Sequence, residues 1–150
     1  MTPEQILDRL QRQCSRREYC TRDVFTKALK ALEGDREAAE KIVSSLVKDK
    51  YVDDARYCSA FAREKAHLTG WGPVKIVHAL AAKGISGETA RAALGEIDAP
   101  AAGKKLQKLM ETKYRTVKDM PDARLRLLRY GLSRGYEYDE VDSVCRSLVK

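Results

Sequence analysis

The chain repeats itself about every 51 residues. Lys83-Gly84-Ile85 and Arg134-Gly135-Tyr136 stand 51 positions apart, each between two amphipathic runs. A further step of 51 back from Ile85 reaches Gly34, again between two such runs. The apolar phase follows the same period: Phe25, Ile76 and Leu127 are 51 apart, and so are Val43, Leu94 and Cys145. Agreement of phase at several positions is much harder to produce by chance than one shared tripeptide. A fixed period of this size implies stacked supersecondary units rather than one core closed around a pocket. Such a body offers extended surface, which points to binding and away from catalysis.

Each unit reads as three helices. In the first, Ile6, Leu7, Leu10 and Cys14 follow the i, i+3, i+4 spacing of a one-sided helix ending near Ser15. Thr21 is the expected cap of a second helix through Val24, Phe25, Ala28, Leu29 and Leu32. Gly34 breaks it, and Asp35 is placed to cap a third helix that carries Ala39, Ile42, Val43 and Leu46. The second unit opens at Asp53-Asp54, pauses at Gly70-Trp71-Gly72-Pro73 and restarts through Ile76, Val77 and Leu80. Pro73 suits the first turn of that helix, and Ser86 caps the next one, which carries Ala90, Ala93, Leu94 and Ile97. The third unit begins after Asp98-Ala99-Pro100 with Leu106, Leu109, Met110 and Tyr114, followed by a looser connection over residues 115–122. Helices from Arg124 to Gly135 and through Val141, Val144, Cys145 and Leu148 complete it. The expected fold is all-α: three tandem three-helix repeats, nine helices, at residues 1–52, 53–98 and 99–150, forming an elongated curved body. A helix of 12 to 16 residues is about 18 to 24 Å long, so three stacked units reach roughly 60–80 Å.

Composition narrows the class. No stretch approaches the roughly 18 apolar residues of a membrane span, and Met1-Thr2-Pro3-Glu4 lacks the basic and apolar regions of a signal peptide. The chain is therefore expected in the cytosol, away from membranes. Cys14, Cys20, Cys58 and Cys145 form no Cys-x-x-Cys pair, and His67 and His78 add no metal-ligand spacing, so no metal or other cofactor is expected. The cysteines read as small buried residues of helices. No Gly-x-Ser-x-Gly, His-Glu-x-x-His or phosphate-binding glycine loop is present, so the chain is not expected to be an enzyme.

The net charge of +7 is uneven. Residues 1–52 carry 11 basic and 9 acidic side chains, residues 53–98 carry 6 of each, and residues 99–150 carry 12 and 7. The balances are thus +2, 0 and +5, and an anionic partner met through the last unit is the simplest functional reading. The candidate contacts there are Lys104, Lys105 and Lys108, and Arg124, Arg126 and Arg129. Arg126 and Arg129 lie i, i+3 on one helix face and can address one phosphate run or one acidic groove. Lys75 and Lys83 are further candidates in the middle unit, although Lys83 also suits the end of a helix dipole. Trp71, between two glycines, reads as a ring covering the joint between two helices, with an exposed partner anchor as the alternative.

The stretches Tyr51-Val52-Asp53-Asp54-Ala55-Arg56-Tyr57 and Trp71-Gly72-Pro73-Val74-Lys75-Ile76 resemble the RecX family, the regulators of the RecA recombinase. The likeness continues through Leu80-Ala81-Ala82-Lys83-Gly84-Ile85 to Ala93-Leu94, and extends to Arg17-Glu18-Tyr19-Cys20 and Lys48-Asp49-Lys50-Tyr51. Cys58 stands where the family usually carries Ala, and the third unit matches mainly by pattern. The resemblance implies tandem trihelical architecture and no catalytic residues. It also implies a monomer that binds RecA as a filament on single-stranded DNA, with double-stranded DNA a further possible contact, and lowers the filament's ATPase and strand-exchange activity. A stand-alone DNA-binding helical module is the alternative, set against by the lack of a helix densely lined with Arg, Asn and Gln for base readout.

Overall fold

The computed structural model describes residues 1–150. It contains nine α-helices and no strand: α1 Pro3–Arg16, α2 Thr21–Ala31, α3 Arg36–Lys48, α4 Asp54–Glu64, α5 Pro73–Ala82, α6 Gly87–Ala93, α7 Ala99–Val117, α8 Ala123–Ser133 and α9 Tyr138–Leu148. Local chemistry fixes most ends. Thr2 and Gln5 close a reciprocal capping box on α1, and Asp35, Asp53, Ser86 and Asp98 each accept a hydrogen bond from a backbone N–H of the helix they open. Pro73 takes the first position of α5, where its missing N–H costs nothing.

The apolar stripes gather into three cores. One holds Ile6, Leu10, Val24, Ala28, Ala39 and Leu46; the next holds Tyr57, Cys58, Ala62, Ile76, Leu80 and Ala90; the last holds Leu106, Met110, Leu127, Tyr136, Val141 and Cys145. Only 32 of 150 residues are buried, and the accessible surface is 9300 Å². A compact monomer of 16.9 kDa would expose about 7,700 Å². The excess is what an elongated tandem body shows, because each core is flanked by neighbours at its ends and by water elsewhere.

The repeat is real but not uniform. In the third helix of each unit the period is 51: Ala39, Ala90 and Val141 are all fully buried, and the caps Asp35, Ser86 and Glu137 keep the same spacing. In the middle helix of the first unit the register slips by one. Val24, not Phe25, is the fully buried counterpart of Ile76, and Phe25 is left half-buried with the Arg36 guanidinium 5.3 Å from its ring. Two other expectations are corrected. Thr21 is the first helical residue rather than the cap; Cys20 is the N-cap and makes no side-chain bond. The missing acceptor comes from the second unit, where Asp54 takes the Thr21 N–H at 2.7 Å. The first helix of the third unit runs on to Val117, which is buried against the core side, so the connection is only residues 118–122.

Both joints between units are built from the same parts. The C-terminal end of each middle helix meets the N-terminal end of the preceding unit's middle helix. At the first joint Arg22 donates to the Ala82 carbonyl at 2.9 Å, and the Lys83 ammonium lies 3.0 Å from Asp23. At the second, Gly72 N–H donates to Arg134 O at 2.7 Å and Val74 N–H to Gly135 O at 2.9 Å. Arg134 also donates to Thr69 O, and the buried Tyr136 hydroxyl donates to Gly70 O at 3.1 Å. The backbones touch here: a Cβ on Gly72 would lie 2.4 Å from the Gly135 carbonyl.

Candidate functional site

The basic residues of the third unit do not form a single surface. Along the 19-residue α7, Lys104, Lys108 and Arg115 follow i, i+4, i+11 spacing and fall on one exposed face. Lys113 points to the other side of that helix, toward α8. There it joins Arg126, Arg129, Thr116, Val117, Met120, Tyr130 and Ser133 around an open groove of about 530 Å³. The Lys113 ammonium sits 5.4 Å from the Tyr130 ring centre, a cation held over an aromatic face. Arg126 donates through Nε to Pro121 O at 2.9 Å, which leaves the two terminal nitrogens of its fork free to bind. Arg129 is exposed one turn further along. The groove therefore presents three cations, two of them planar forks suited to phosphate or carboxylate, beside an aromatic ring.

The other candidates are committed elsewhere. Arg124 pairs with Asp142 at 2.7 Å, and Arg146 takes the second oxygen of that carboxylate, also at 2.7 Å. Asp142 is 12% exposed, and its pair with Arg124 ties α8 to α9, while Arg146 stays largely in solvent. Lys83 ties the first two units through Asp23, which raises its pKa above the ordinary 10.5 by hydrogen bonding. Lys75 lies against Gly135 at the second joint, and its ammonium is 4.7 Å from the Trp71 ring. Lys105 reaches the same joint, its Cε 3.2 Å from where a Cβ on Gly70 would stand. Trp71 itself packs edge-on against Phe61 at 6.2 Å, with Lys65 4.8 Å above it. It is a joint cover, as its setting between two glycines implied.

The remaining chemistry is quiet. All four cysteines are buried thiols, and burial pushes each of their pKa values up, that of Cys58 to about 11. His67 accepts the Asp98 N–H at 3.3 Å.

Comparison with known proteins follows this geometry. The family model described as RecX, second three-helix domain, matches residues 53–94, the unit that carries α4 to α6. The regulatory protein RecX of Clostridium tetani is 29% identical over 119 residues, covering 77% of this chain and 54% of its own length. Its counterpart in Streptococcus uberis is 27% identical over 105 residues, covering 70% of this chain and 41% of its own. The chain is thus similar to RecX regulatory proteins, most specifically in its second three-helix unit. The chain spans about half the length of the curated relatives it matches. Its fold is that of solved RecX structures. One from Lactobacillus salivarius superposes with a TM-score of 0.83 at 20% identity, covering 97% of this chain and 96% of that one. A second crystal structure of regulatory protein RecX gives 0.84 at 19% identity, over 95% of this chain and 70% of that one.

Lys113 and Tyr130 were missed by the reading of charge runs. The signal was available: Lys113 sits four residues before the buried Val117, hence beside the apolar stripe of α7 rather than opposite it. Counting cations by cluster favours Lys104 and Lys105, whereas facing direction favours Lys113.

Proposed function

We propose that this chain is a regulator that binds the RecA recombinase as a filament on single-stranded DNA and restrains its ATPase and strand-exchange activity. The repeats at 1–52, 53–98 and 99–150 act as spacers of one elongated binding body. The Lys113–Arg126–Arg129 groove of the last repeat meets the anionic partner, either an acidic face of the filament or its DNA. The observation that carries this reading is that groove, set on a RecX-like scaffold whose middle unit has no net charge. Three cations around one groove lower the free energy of an anionic occupant and speed its encounter, both effects screened by salt. The reading includes no catalytic step and places the protein in the cytoplasm, where RecA works.

The decisive experiment measures single-stranded-DNA-dependent ATP hydrolysis by RecA with stoichiometric protein. Inhibition is expected, and Arg126→Glu with Arg129→Glu should weaken it at least tenfold, while Lys104→Glu with Lys105→Glu weakens it less. Unchanged hydrolysis with the unaltered protein defeats the proposal; equal effects of the two reversals defeat the assignment of the groove. Direct DNA binding without RecA, falling steeply with salt, would instead support the stand-alone module.

A further inference from the structure

The cationic groove of the last unit does not stop at the end of α8. Ser133, in its wall, also lines a second groove, of about 350 Å³, between the end of α8 and the start of α5. This second groove crosses the joint between the middle and last units and is apolar where the first is charged. Val74 and Leu132 line it, 49% and 39% exposed, beside Trp71 and Ala79. A single apolar side chain in water needs no explanation, but two on one concavity mark a contact surface. Lys75 and His78 complete the wall on the α5 side.

Neither groove has an Asp or Glu in its wall, in a chain that carries 22 of them. Grooves elsewhere on the molecule are lined by Glu37, by Asp8 or by Glu140. The two concavities thus make one surface, with cations at Lys113, Arg126 and Arg129 and aliphatic side chains at Leu132 and Val74. An occupant that fits it carries negative charge next to bulky apolar groups. Single-stranded nucleic acid brings the charge, but its bases bind by stacking on aromatic faces. Here the Trp71 ring already carries the Lys65 and Lys75 ammoniums at 4.8 and 4.7 Å and meets Phe61 edge-on. The Tyr130 ring carries Lys113. The open apolar surface is aliphatic, which suits amino-acid side chains better than bases.

We propose that the occupant is an acidic segment of a protein partner, which sets carboxylates on Arg126 and Arg129 and a leucine-like side chain on Leu132 and Val74. This deepens the reading given above and rests on its assignment of the cationic groove, to which it adds an apolar half and a chemical class of partner. Spacing favours an extended segment. Arg129 and Leu132, one turn apart on α8, place their Cβ atoms about 5–6 Å from each other. Alternate side chains of an extended chain face one way at about 7 Å, so a carboxylate and an apolar group two residues apart reach both. Because the apolar walls come from α5 and α8, an occupied groove spans two units. Binding there stabilises the joint, including the bonds from Gly72 and Val74 to the end of α8.

Trp71, the single tryptophan of the chain, lines the apolar groove and reports on it. The probe is a synthetic peptide, Glu-Ser-Glu-Ser-Leu-Ser-Leu, blocked at both ends and added to the full chain at low salt up to about 5 mM. Binding should move Trp71 emission to shorter wavelength and slow exchange of the Gly72 and Val74 amides. Serine in place of both peptide leucines should weaken binding about tenfold or more. Glutamine in place of both glutamates should weaken it about threefold, a difference that high salt removes. Val74→Ser with Leu132→Ser should lose the preference for leucine, and Arg126→Gln with Arg129→Gln the preference for glutamate. All four residues are exposed, so the variants fold, and an unchanged Tm checks this. A Trp71 emission that the peptide leaves unmoved overturns the proposal, as do preferences that survive both pairs of substitutions. So does a thymidine oligonucleotide that displaces the peptide and itself depends on Leu132, since nucleic acid is then the occupant. RecA hydrolysis separates this from the wider reading. Peptide binding as described with hydrolysis unchanged removes the regulator and upholds the acidic occupant; inhibition without peptide binding removes the acidic occupant alone.

Discussion

Gly72→Ala tests whether the second joint is a rigid part of the fold. Gly72 has φ −85° and ψ 171°, a conformation alanine adopts freely, so the backbone of the variant is unstrained. What is missing is space. The added Cβ would stand 2.4 Å from the carbonyl carbon and oxygen of Gly135 and 2.4 Å from Tyr136 N, all main-chain atoms. Overpacking of this kind costs about 1–3 kcal/mol. If the joint relaxes by separating, the bonds from Gly72 N–H and Val74 N–H at 2.7 and 2.9 Å go with it, at about 0.5–1.5 kcal/mol each. Replacing glycine also reduces the entropy of the unfolded chain, returning about 0.4–1 kcal/mol. The net expectation is a loss of about 2–3 kcal/mol. At about 2–4 °C per kcal/mol for a chain of this length, Tm falls by roughly 4–12 °C.

Two measurements check the mechanism as well as the magnitude. In hydrogen exchange the Gly72 and Val74 amides should lose protection before those of the α4–α6 core, and Tyr136, 4% exposed in the intact joint, should become accessible. Gly103→Ala is the control. Gly103 lies inside α7 with nothing within 4 Å of a new Cβ, so the same change there stabilises by about 0.5–1 kcal/mol. A Gly72→Ala protein with unchanged Tm and both amides still protected would refute the reasoning, since it would mean that the unit contact yields at no cost.

The first joint and the thiols give further tests. A double-mutant cycle of Lys83→Ala and Asp23→Ala should show coupling of about 0.5–1 kcal/mol, discounted because the two side chains are 42% and 27% exposed. Its raised lysine pKa means this stability is complete below pH 10.5 and is lost as pH climbs through the folded value; zero coupling at pH 7 removes the pair from the joint. All four cysteines should resist a thiol reagent at pH 8 in the native state and react together in guanidinium, and rapid native labelling of any of them contradicts its burial. Cys58 is held neutral up to about 11 against 9.0 unfolded, so its contribution is present below pH 9 and declines between those values, measurable as reduced urea midpoints.

Helix number, caps and core stripes were legible because they depend on neighbours within four residues of each other. Asp35, Asp53, Ser86 and Pro73 do locally what their chemistry dictates. The errors fall where a distant residue decides. Nothing near Thr21 announces that its N–H is met by Asp54, 33 positions away, and with that partner Thr21 enters the helix instead of capping it. The one-residue slip from Phe25 to Val24 is likewise hidden in the local pattern, where both positions are apolar. The candidate interface was legible as positive charge and illegible as a surface, since the direction of each cation depends on which helix face is covered.

That distinction changes what the charge of this molecule means. Lys75, Lys83, Arg22 and Arg134 are spent on joints, and Arg124 on the α8–α9 contact. Cations at such places are oriented by carbonyl oxygens, carboxylates and an aromatic face, and exchanging them for neutral residues loosens the stack before it weakens any partner. In the last unit Lys104, Lys108, Arg115, Arg126 and Arg129 stay exposed, outside the joint with the middle unit. Lys113, Arg126 and Arg129 are the cations gathered into one concavity. On the reading proposed above, the groove of the last unit meets the partner, and stiffness at Gly72 and Lys83 then matters to function as well as to stability.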